Sequence, residues 1–342
     1  MPKYANINPV FIVGSSRSGT TLLQMILNSH PDIAIYGEIH YFDEISKLLP
    51  DAKETDIDTI DHFLNHTLRR AYHVRLLPKL DPVLGRVRRR LQEGASLQRD
   101  FYRLLMESFA EIEGKSRYGE KTNENIRYLD ELIALFPDAR IIHIVRDPRD
   151  VVASMMSMPW ASNDVLANTL RWRAEIANAC RHREDTSRFY EIRYEDLIEN
   201  PENICREICD FVGVPFVPEM LDYHRKAGDY IVNEPWKQGT EKHINSTARQ
   251  RWRRDLTQWQ VCLIQCLVGR YMAYYGYNKV GCGLLRKLAV PAVLSLELFK
   301  YLRYKINQRK RRKMEGSGVI YGDDVRLYRL LWQSFTKSGR GL

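Results

Sequence analysis

The 342-residue sequence lacks the features that mark secreted and membrane-spanning chains. It has six cysteines, too few for the disulfide framework of a small secreted domain. An apolar run at residues 9–13 begins almost at the first residue, which leaves no room for the three parts of a secretory signal. The apolar stretch at residues 288–299 is far shorter than the roughly 20 residues that a membrane-spanning helix needs. We therefore expect a cytoplasmic protein.

Four of the cysteines form two pairs spaced four residues apart on predicted helices, Cys205 with Cys209 and Cys262 with Cys266. This spacing is compatible with a metal site. Cysteine is, however, among the residue types most often found buried. The sequence therefore predicts buried thiols on helix faces and no metal.

An excess of basic over acidic residues is also absent from most of the chain, although the net charge of the whole chain is +9. Residues 281–342 hold 14 Lys and Arg against 4 Asp and Glu, so residues 1–280 hold 38 basic and 39 acidic residues. Phosphate neutralisation by a nucleic-acid-binding protein normally needs a basic face. We therefore expect no nucleic acid partner.

A lysine is missing from the stretch GSSRSGTT at residues 14–21. A nucleoside-triphosphate loop reads G-x-x-x-x-G-K-[ST], with the lysine on the outer phosphates and the hydroxyl on Mg²⁺. Gly14 and Gly19 keep that spacing, but Thr20 occupies the lysine position. A strand, a glycine-bounded loop and a helix in succession still place backbone N–H groups around an anion. The stretch predicts a phosphate site even without the lysine.

The order of strand and helix patterns predicts an α/β fold, a three-layer α/β/α arrangement around a central parallel sheet. Four strands are predicted, at residues 9–14, 33–37, 139–146 and 188–194. Helices are predicted at residues 20–28, 125–136, 149–158, 163–182 and 202–212.

A helical insertion at residues 50–118 interrupts this alternation after the second strand, and no convincing strand lies between residues 50 and 115. Apolar residues recur with a helical period from Leu97 to Ile112. Ligands bind at the C-terminal edge of a parallel sheet. The insertion is therefore either a lid over an acceptor or a layer that only packs on the body.

A second anion motif lies at residues 141–155, IIHIVRDPRDVVASM. Arg146 ends a predicted strand, and Ser154 follows eight residues later on the next helix. A guanidinium and a hydroxyl at these positions can converge on one dianion. The alternative is a surface ion pair of Arg146 with Asp147 or Asp150.

Together the two motifs resemble those of sulfotransferases that use 3′-phosphoadenosine 5′-phosphosulfate (PAPS). The resemblance covers about residues 9–252: VGSSRSGTTLL is similar to the 5′-phosphosulfate loop and IVRDPRDVVAS to the 3′-phosphate motif. The flanking NSHPDIAIYGE, RYEDLIENPE and FVGVPF look like the family's bacterial and tyrosylprotein branch. The resemblance implies a P-loop-like fold, PAPS as co-substrate, no metal, and an acceptor that carries a hydroxyl group.

The resemblance also implies a set of donor-binding residues, which are Ser15, Ser16, Arg17, Ser18, Gly19, Thr20, Thr21, Arg146, Ser154, Tyr194 and Lys242. Tyr194 closes a predicted strand. It either contacts the nucleotide or only packs against the rest of the protein. Lys242, ten residues before Trp252, is similar to a contact with the 3′-phosphate.

The same resemblance implies four catalytic candidates. Arg17 falls where the family places a cation against the bridging oxygen, and such a fixed charge stabilises the departing bisphosphate. Lys121, after a short extended segment, is similar to the second cationic residue, which reaches the sulfuryl oxygens. Glu38 is similar to the general base that takes the acceptor proton. His40 is the alternative base.

The basic extension at residues 281–342 lies beyond the resemblance. An apolar stretch at 288–299 precedes the basic cluster 309–313, a pattern typical of segments on anionic membrane surfaces. Such a segment would make the protein peripheral on the inner face of a membrane. A helix docked on the body, or a site for an acidic acceptor, are the alternatives. The resemblance thus predicts a sulfotransferase domain at residues 1–280, and the composition of residues 281–342 predicts a helical basic extension after it.

Three functions remain open at this stage. A PAPS-dependent sulfotransferase is the leading one, with a peptide tyrosine, saccharide, lipid or small metabolite as acceptor. A nucleotide-dependent kinase of the same broad fold is disfavoured by Thr20 at the lysine position. A non-catalytic nucleotide-binding protein would bind the donor without transfer. The oligomeric state stays open.

Overall fold

A computed structural model describes residues 7–50, 56–70, 74, 77–225 and 249–283. Its strands are β1 (Val10–Val13), β2 (Ile33–Tyr36), β3 (Arg117–Lys121), β4 (Arg140–Val145) and β5 (Phe189–Arg193). Its α-helices are α1 (Thr20–Asn28), α2 (Ile57–His62), α3 (Leu80–Gln92), α4 (Leu97–Glu113), α5 (Leu129–Leu135), α6 (Pro148–Met156), α7 (Val165–Ala179), α8 (Tyr194–Glu199), α9 (Pro201–Val212), α10 (Trp252–Asp255) and α11 (Gln258–Tyr274).

The strands form one sheet in the order β2-β3-β1-β4-β5. The pairs β2–β3, β3–β1 and β1–β4 are parallel. Strand β1 reads VFIV and is buried throughout, as expected for a central strand covered on both faces. The predicted α/β fold of the P-loop-like class is confirmed.

The described chain divides into two compact units. Of the described residues, the first unit comprises those at 7–14, between 19 and 144, and at 182–225, and the second comprises those at 15–18, 145–181 and 249–283. In the first unit, apolar side chains of β1, β2 and β4 pack with those of α1, α8 and α9 in one core. In the second unit, α7 and α11 pack against each other, and α6 contributes to the same core.

Strand β3 was not among the four predicted strands, and that prediction is corrected to five. Its sequence, RYGEK, has a single large apolar residue, Tyr118, so it shows no strand pattern. Pairing with β2 on one side and β1 on the other nevertheless buries it, including Glu120 and Lys121. The insertion therefore ends before residue 117. Between residues 50 and 115 the described positions include no strand, as predicted.

The helix predicted at residues 125–136 is also corrected. The chain forms a 3-10 helix at Asn123–Arg127 and then α5, with Tyr128 between them outside the helical region at φ −119° and ψ 27°. The predicted helix at residues 163–182 is shorter, because Asp164 caps α7 by accepting a hydrogen bond from the Ala167 N–H. Each predicted anion motif follows a strand and leads into a helix, as expected: the first lies between β1 and α1, and the second between β4 and α6.

The cysteine prediction holds for one pair and is wrong for the other. Cys205 and Cys209 are buried on α9. Cys262 forms a disulfide with Cys282, at a Cα–Cα distance of 5.7 Å, and Cys266 is exposed. The sequence could not show this pairing, because Cys282 lies outside the helix that carries Cys262.

Several predictions concern residues outside the described part of the chain. Lys242 and residues 284–342 lie outside the described residues, so the extension and its membrane contact stay predictions. Over the ranges that are described, no helix is long and apolar enough to cross a bilayer. In the same ranges, no group of three His, Cys, Asp or Glu side chains is arranged to hold a metal ion.

Candidate active site

The phosphate-type loop begins where β1 ends. Gly14 leaves no space for a side chain, since an added Cβ would lie 2.5 Å from the Ile144 carbonyl oxygen. The four residues that follow, 15–18, belong to the second unit. They form a tight turn in which the Ser18 N–H donates to the Ser15 carbonyl oxygen at 3.0 Å.

Arg17 joins the two motifs that lie far apart in the sequence. Its Nε donates to Ser154 Oγ on α6 at 3.0 Å, and Arg146 Nη1 donates to the Arg17 carbonyl oxygen at 3.0 Å. Arg17 adopts a left-handed backbone with φ 72°, which costs free energy for a residue other than glycine. The second unit therefore brings Arg146 and Ser154 to the same loop residue, Arg17, and their convergence on one dianion stays a prediction.

The alternative of an ion pair for Arg146 holds in part: Arg146 Nη2 lies 3.9 Å from Asp150 Oδ2. The pair is buried and not on the surface, because only 6% of Arg146 is exposed. Asp147 instead pairs with Arg149 through two hydrogen bonds of 3.0 and 2.6 Å. Asp150 accepts from the backbone N–H groups of residues 250 and 252. Arg146 therefore lies between Asp150 and the loop, where it donates to the Arg17 carbonyl oxygen.

Ser18 provides a direct test of whether the loop suits an anion. It is fully buried, and its Oγ has no hydrogen-bond partner among the described residues. An unsatisfied buried hydroxyl costs about 1–3 kcal/mol. Ser15 differs, since its Oγ donates to Glu175 Oε2 at 2.5 Å. A bound phosphate oxygen would accept from Ser18, so this residue fits a phosphate group at the loop.

In the first unit, Gly19 and Thr20 begin α1. Gly19 has φ +100°, and a Cβ there would lie 2.4 Å from Tyr194 Cδ2. Tyr194 is the first residue of α8, and its ring packs on this glycine. Thr20 Oγ1 donates to Asn123 Oδ1 at 2.6 Å, so its hydroxyl is already held by the protein. Thr21 and Ser16 are half-buried and buried, respectively.

The catalytic candidates of the first unit form one cluster. Lys121 is the last residue of β3, is 1% exposed, and donates through Nζ to Glu38 Oε1 in a short ion pair. His40 Nε2 lies 3.5 Å from Glu38 Oε2, and His40 Nδ1 lies 3.8 Å from Glu124 Oε2. A carboxylate therefore lies between two basic groups, close to the end of the sheet.

The environment of His40 favours its charged form. Burial lowers the pKa of His40, but the hydrogen bond with Glu38 and the charges of Glu124, Glu38 and Asp43 outweigh it and raise the pKa above its ordinary value. His40 also has a left-handed backbone with φ 53°. A raised pKa favours the protonated ring, which is a poor proton acceptor.

Sequence reasoning missed the buried side chains that surround this cluster. Glu120 is fully buried and accepts hydrogen bonds from the Ile39 N–H, the Thr122 hydroxyl, the Tyr102 hydroxyl and Asn125 Nδ2. The signal was the unusual density of polar residues in GEKTNEN after a short extended segment. Burial inside a sheet was needed to show their importance.

A cavity of about 470 Å³ lies elsewhere in the second unit, and it is not part of the anion loop. None of the described donor-site residues lines it. Its lining residues are Arg173, Gln265, Cys266, Leu267, Gly269, Arg270, Tyr271, Lys279, Val280, Gly281 and Cys282.

Comparisons with known proteins agree with the two motifs. A family model described as the sulfotransferase family matches residues 9–218. An uncharacterised protein of Aquifex aeolicus is 28% identical over 258 residues, which are 72% of this chain and 30% of that protein. A putative protein-tyrosine sulfotransferase of Caenorhabditis briggsae is 23% identical over 71% of this chain and 80% of its own length. The chain thus spans less than a third of the Aquifex relative.

Among solved structures, the sulfotransferase domain of the olefin synthase from Synechococcus PCC 7002 has a similar fold. Its TM-score is 0.56 at 23% identity, over 81% of this chain and 98% of that domain. The sulfotransferase domain from the curacin biosynthetic pathway has a TM-score of 0.57 at 19% identity, over 80% and 99% of the two chains. At these identities the likeness describes the fold.

Proposed function

The chain belongs to the sulfotransferase family, and on that premise we propose that it transfers a sulfuryl group from PAPS to an acceptor hydroxyl. The observation that carries the proposal is the contact of Arg17 with Ser154 and with Arg146. It joins a lysine-free phosphate loop to a second anion motif more than 120 residues away. A bisphosphorylated donor needs two anion sites, whereas a simple phosphate needs one.

The residues of the second unit bind the donor in this proposal. The loop N–H groups and the buried Ser18 hydroxyl hold the 5′-phosphate, because their hydrogen-bonding capacity suits an anion. Arg146 and Ser154 hold the 3′-phosphate by charge and hydrogen bond. Arg17 stabilises the negative charge that develops when the bridging bond breaks.

The cluster of the first unit performs the transfer in this proposal. PAPS supplies an activated sulfuryl group whose S–O bond to the 5′-phosphate breaks as the acceptor oxygen attacks sulfur. Glu38 accepts the proton of that acceptor hydroxyl. Lys121 holds Glu38 in place by their ion pair and supplies positive charge for the sulfuryl oxygens.

Glu38, rather than His40, is the base in this proposal. The raised pKa of His40 favours its protonated form, whereas a base must be free of its proton when the acceptor arrives. His40 Nε2 lies 3.5 Å from Glu38 Oε2, beside the proposed base.

The proposed acceptor carries a hydroxyl group and belongs to one of four classes: a peptide tyrosine, a saccharide, a lipid or a small metabolite. A kinase remains the second enzyme class to test. It is disfavoured because the residue at the lysine position, Thr20, uses its hydroxyl on Asn123.

Calorimetric titration tests the donor without knowledge of the acceptor. We expect 3′-phosphoadenosine 5′-phosphate to bind tightly with or without Mg²⁺, and ADP with Mg²⁺ to bind weakly or not at all. The reverse order would refute the proposal in favour of a kinase. A transfer assay with ³⁵S-labelled PAPS and a panel of tyrosine peptides, saccharides, lipid alcohols and phenols then distinguishes an enzyme from a non-catalytic binding protein.

A further inference from the structure

The chain that carries Glu38 and His40 leaves the sheet at the end of β2. The last paired residues of β2 and β3 are Tyr36 and Glu120. Residues 37–40 therefore continue beyond the sheet without backbone pairing to β3. Buried backbone N–H groups need partners, and the next residues of this loop receive theirs from side chains.

Side chains at the end of β3 and just after it accept hydrogen bonds from those N–H groups. The Ile39 N–H donates to Glu120 Oε1 at 3.1 Å, and the His40 N–H donates to Thr122 Oγ1 at 3.1 Å. The Thr122 hydroxyl in turn donates to Glu120 Oε1 in a short hydrogen bond. Two neighbouring N–H groups of the loop are thus tied to two side chains that flank Lys121.

The other oxygen of Glu120 is fixed by the interior of the first unit. Glu120 Oε2 accepts from the Tyr102 hydroxyl at 3.1 Å and from Asn125 Nδ2 at 2.9 Å. Tyr102 is itself 1% exposed and stacks on Tyr41, with ring centroids 4.3 Å apart. The carboxylate therefore links the loop to packed side chains that do not move independently.

We propose that Glu120 and Thr122 are positioning residues that tether the 38–40 loop to β3 and thereby hold Glu38 against Lys121. The roles of Glu38 and Lys121 rest on the proposed function, whereas the tether itself rests on the contacts above. The strained backbone of His40, with φ 53°, is consistent with a loop held from outside.

Thr122→Val is the principal test, because valine keeps the shape of threonine, removes the hydroxyl and changes no charge. Thr122→Ser is its matched control, since it keeps the hydroxyl. We expect NMR titration of the His40 ring, assigned with a His40→Gln variant, to give a pKa displaced toward 6.5 in Thr122→Val. The ring would move away from Glu38 and Glu124, whose charges raise that pKa. Thr122→Ser should titrate like the wild type.

Amide hydrogen exchange supplies a second measurement and covers the case in which Thr122→Val does not fold. Glu120→Gln keeps the volume of the side chain but replaces one acceptor oxygen with a donor. In this variant and in Thr122→Val, we expect the Ile39 and His40 amides to exchange faster than in the wild type. The amides of α4 should exchange at the wild-type rate. The tether would be refuted if both amides exchanged at the wild-type rate in either variant. It would also be refuted if His40 titrated as in the wild type in a folded Thr122→Val variant.

Kinetics then connect the tether to catalysis. With the panel acceptor of highest turnover, Thr122→Val should lower kcat up to about 100-fold at unchanged affinity for 3′-phosphoadenosine 5′-phosphate, and Thr122→Ser should restore it. An equal loss of nucleotide affinity would show a general structural defect and contradict the positioning role. The NMR and exchange measurements need neither donor nor acceptor, so a protein that binds no nucleotide would refute the proposed function and leave the tether supported.

Discussion

Replacing Glu120 with glutamine should change how the stability of the protein depends on pH. Burial raises the pKa of Glu120 from 4.5 to about 7, although hydrogen bonds from Thr122, Ile39 and Tyr102 and the charge of His40 act in the opposite direction. A carboxyl group with a raised pKa in the folded state favours folding most at low pH. That contribution is complete below pH 4.5 and is lost as the pH rises through 7.

The size of the effect follows from the two pKa values. Each pKa unit corresponds to about 1.4 kcal/mol, so the rise from 4.5 to about 7 corresponds to about 3 kcal/mol in total. About 2.5 kcal/mol of this falls between pH 5 and pH 8. The free energy of unfolding of Glu120→Gln, relative to that of the wild type, should therefore rise by about 2–3 kcal/mol over this interval.

Urea unfolding at pH 5, 6, 7 and 8, followed by circular dichroism and tryptophan fluorescence, measures this difference. Glu93→Gln is the matched control, because it makes the same substitution at an exposed position of the first unit. Its difference from the wild type should stay constant with pH. If Glu120→Gln behaved like Glu93→Gln, Glu120 would not titrate near pH 7, and the argument from its burial would be refuted.

Three further predictions concern the donor, the base and the disulfide. Arg146→Ala should weaken calorimetric binding of 3′-phosphoadenosine 5′-phosphate far more than that of adenosine 5′-phosphate; equal losses would show that it does not read the 3′-phosphate. Glu38→Gln should lower turnover by about 10²-fold or more at unchanged nucleotide affinity, and His40→Gln should cost less; the opposite order would make His40 the base. Cys282→Ser should lower the free energy of unfolding by about 2–4 kcal/mol, whereas Cys266→Ser, an exposed thiol, should not; equal effects in urea unfolding would contradict the pairing.

Local sequence patterns predicted the elements whose form depends on near neighbours. An unbroken apolar run identified β1, and glycines at 14 and 19 marked the loop after it. The turn at Asp147 and Pro148 correctly placed the start of α6. These features follow from backbone sterics and from apolar burial, which depend on a few consecutive residues.

Strand β3 and the disulfide could not be predicted in the same way. RYGEK becomes a strand because β1 and β2 pair with it on either side, and both lie at least 80 residues earlier in the chain. Cys282 pairs with Cys262 because the chain after α11 returns to that helix. In both cases the partner is distant in sequence, so no local pattern signals it.

The sequence by itself determined the two motifs on which the proposed function rests, the lysine-free loop at residues 14–21 and the stretch with Arg146 and Ser154. Both depend on residue types and spacing, whereas Glu38 and Lys121 became candidates through the resemblance to the family. Only the tertiary structure decided the state of those groups, because pKa values and hydrogen bonds depend on burial and on neighbours brought together by folding. It placed Glu38 against Lys121, surrounded His40 with carboxylates, and buried Glu120 where it accepts a hydrogen bond from the Ile39 N–H.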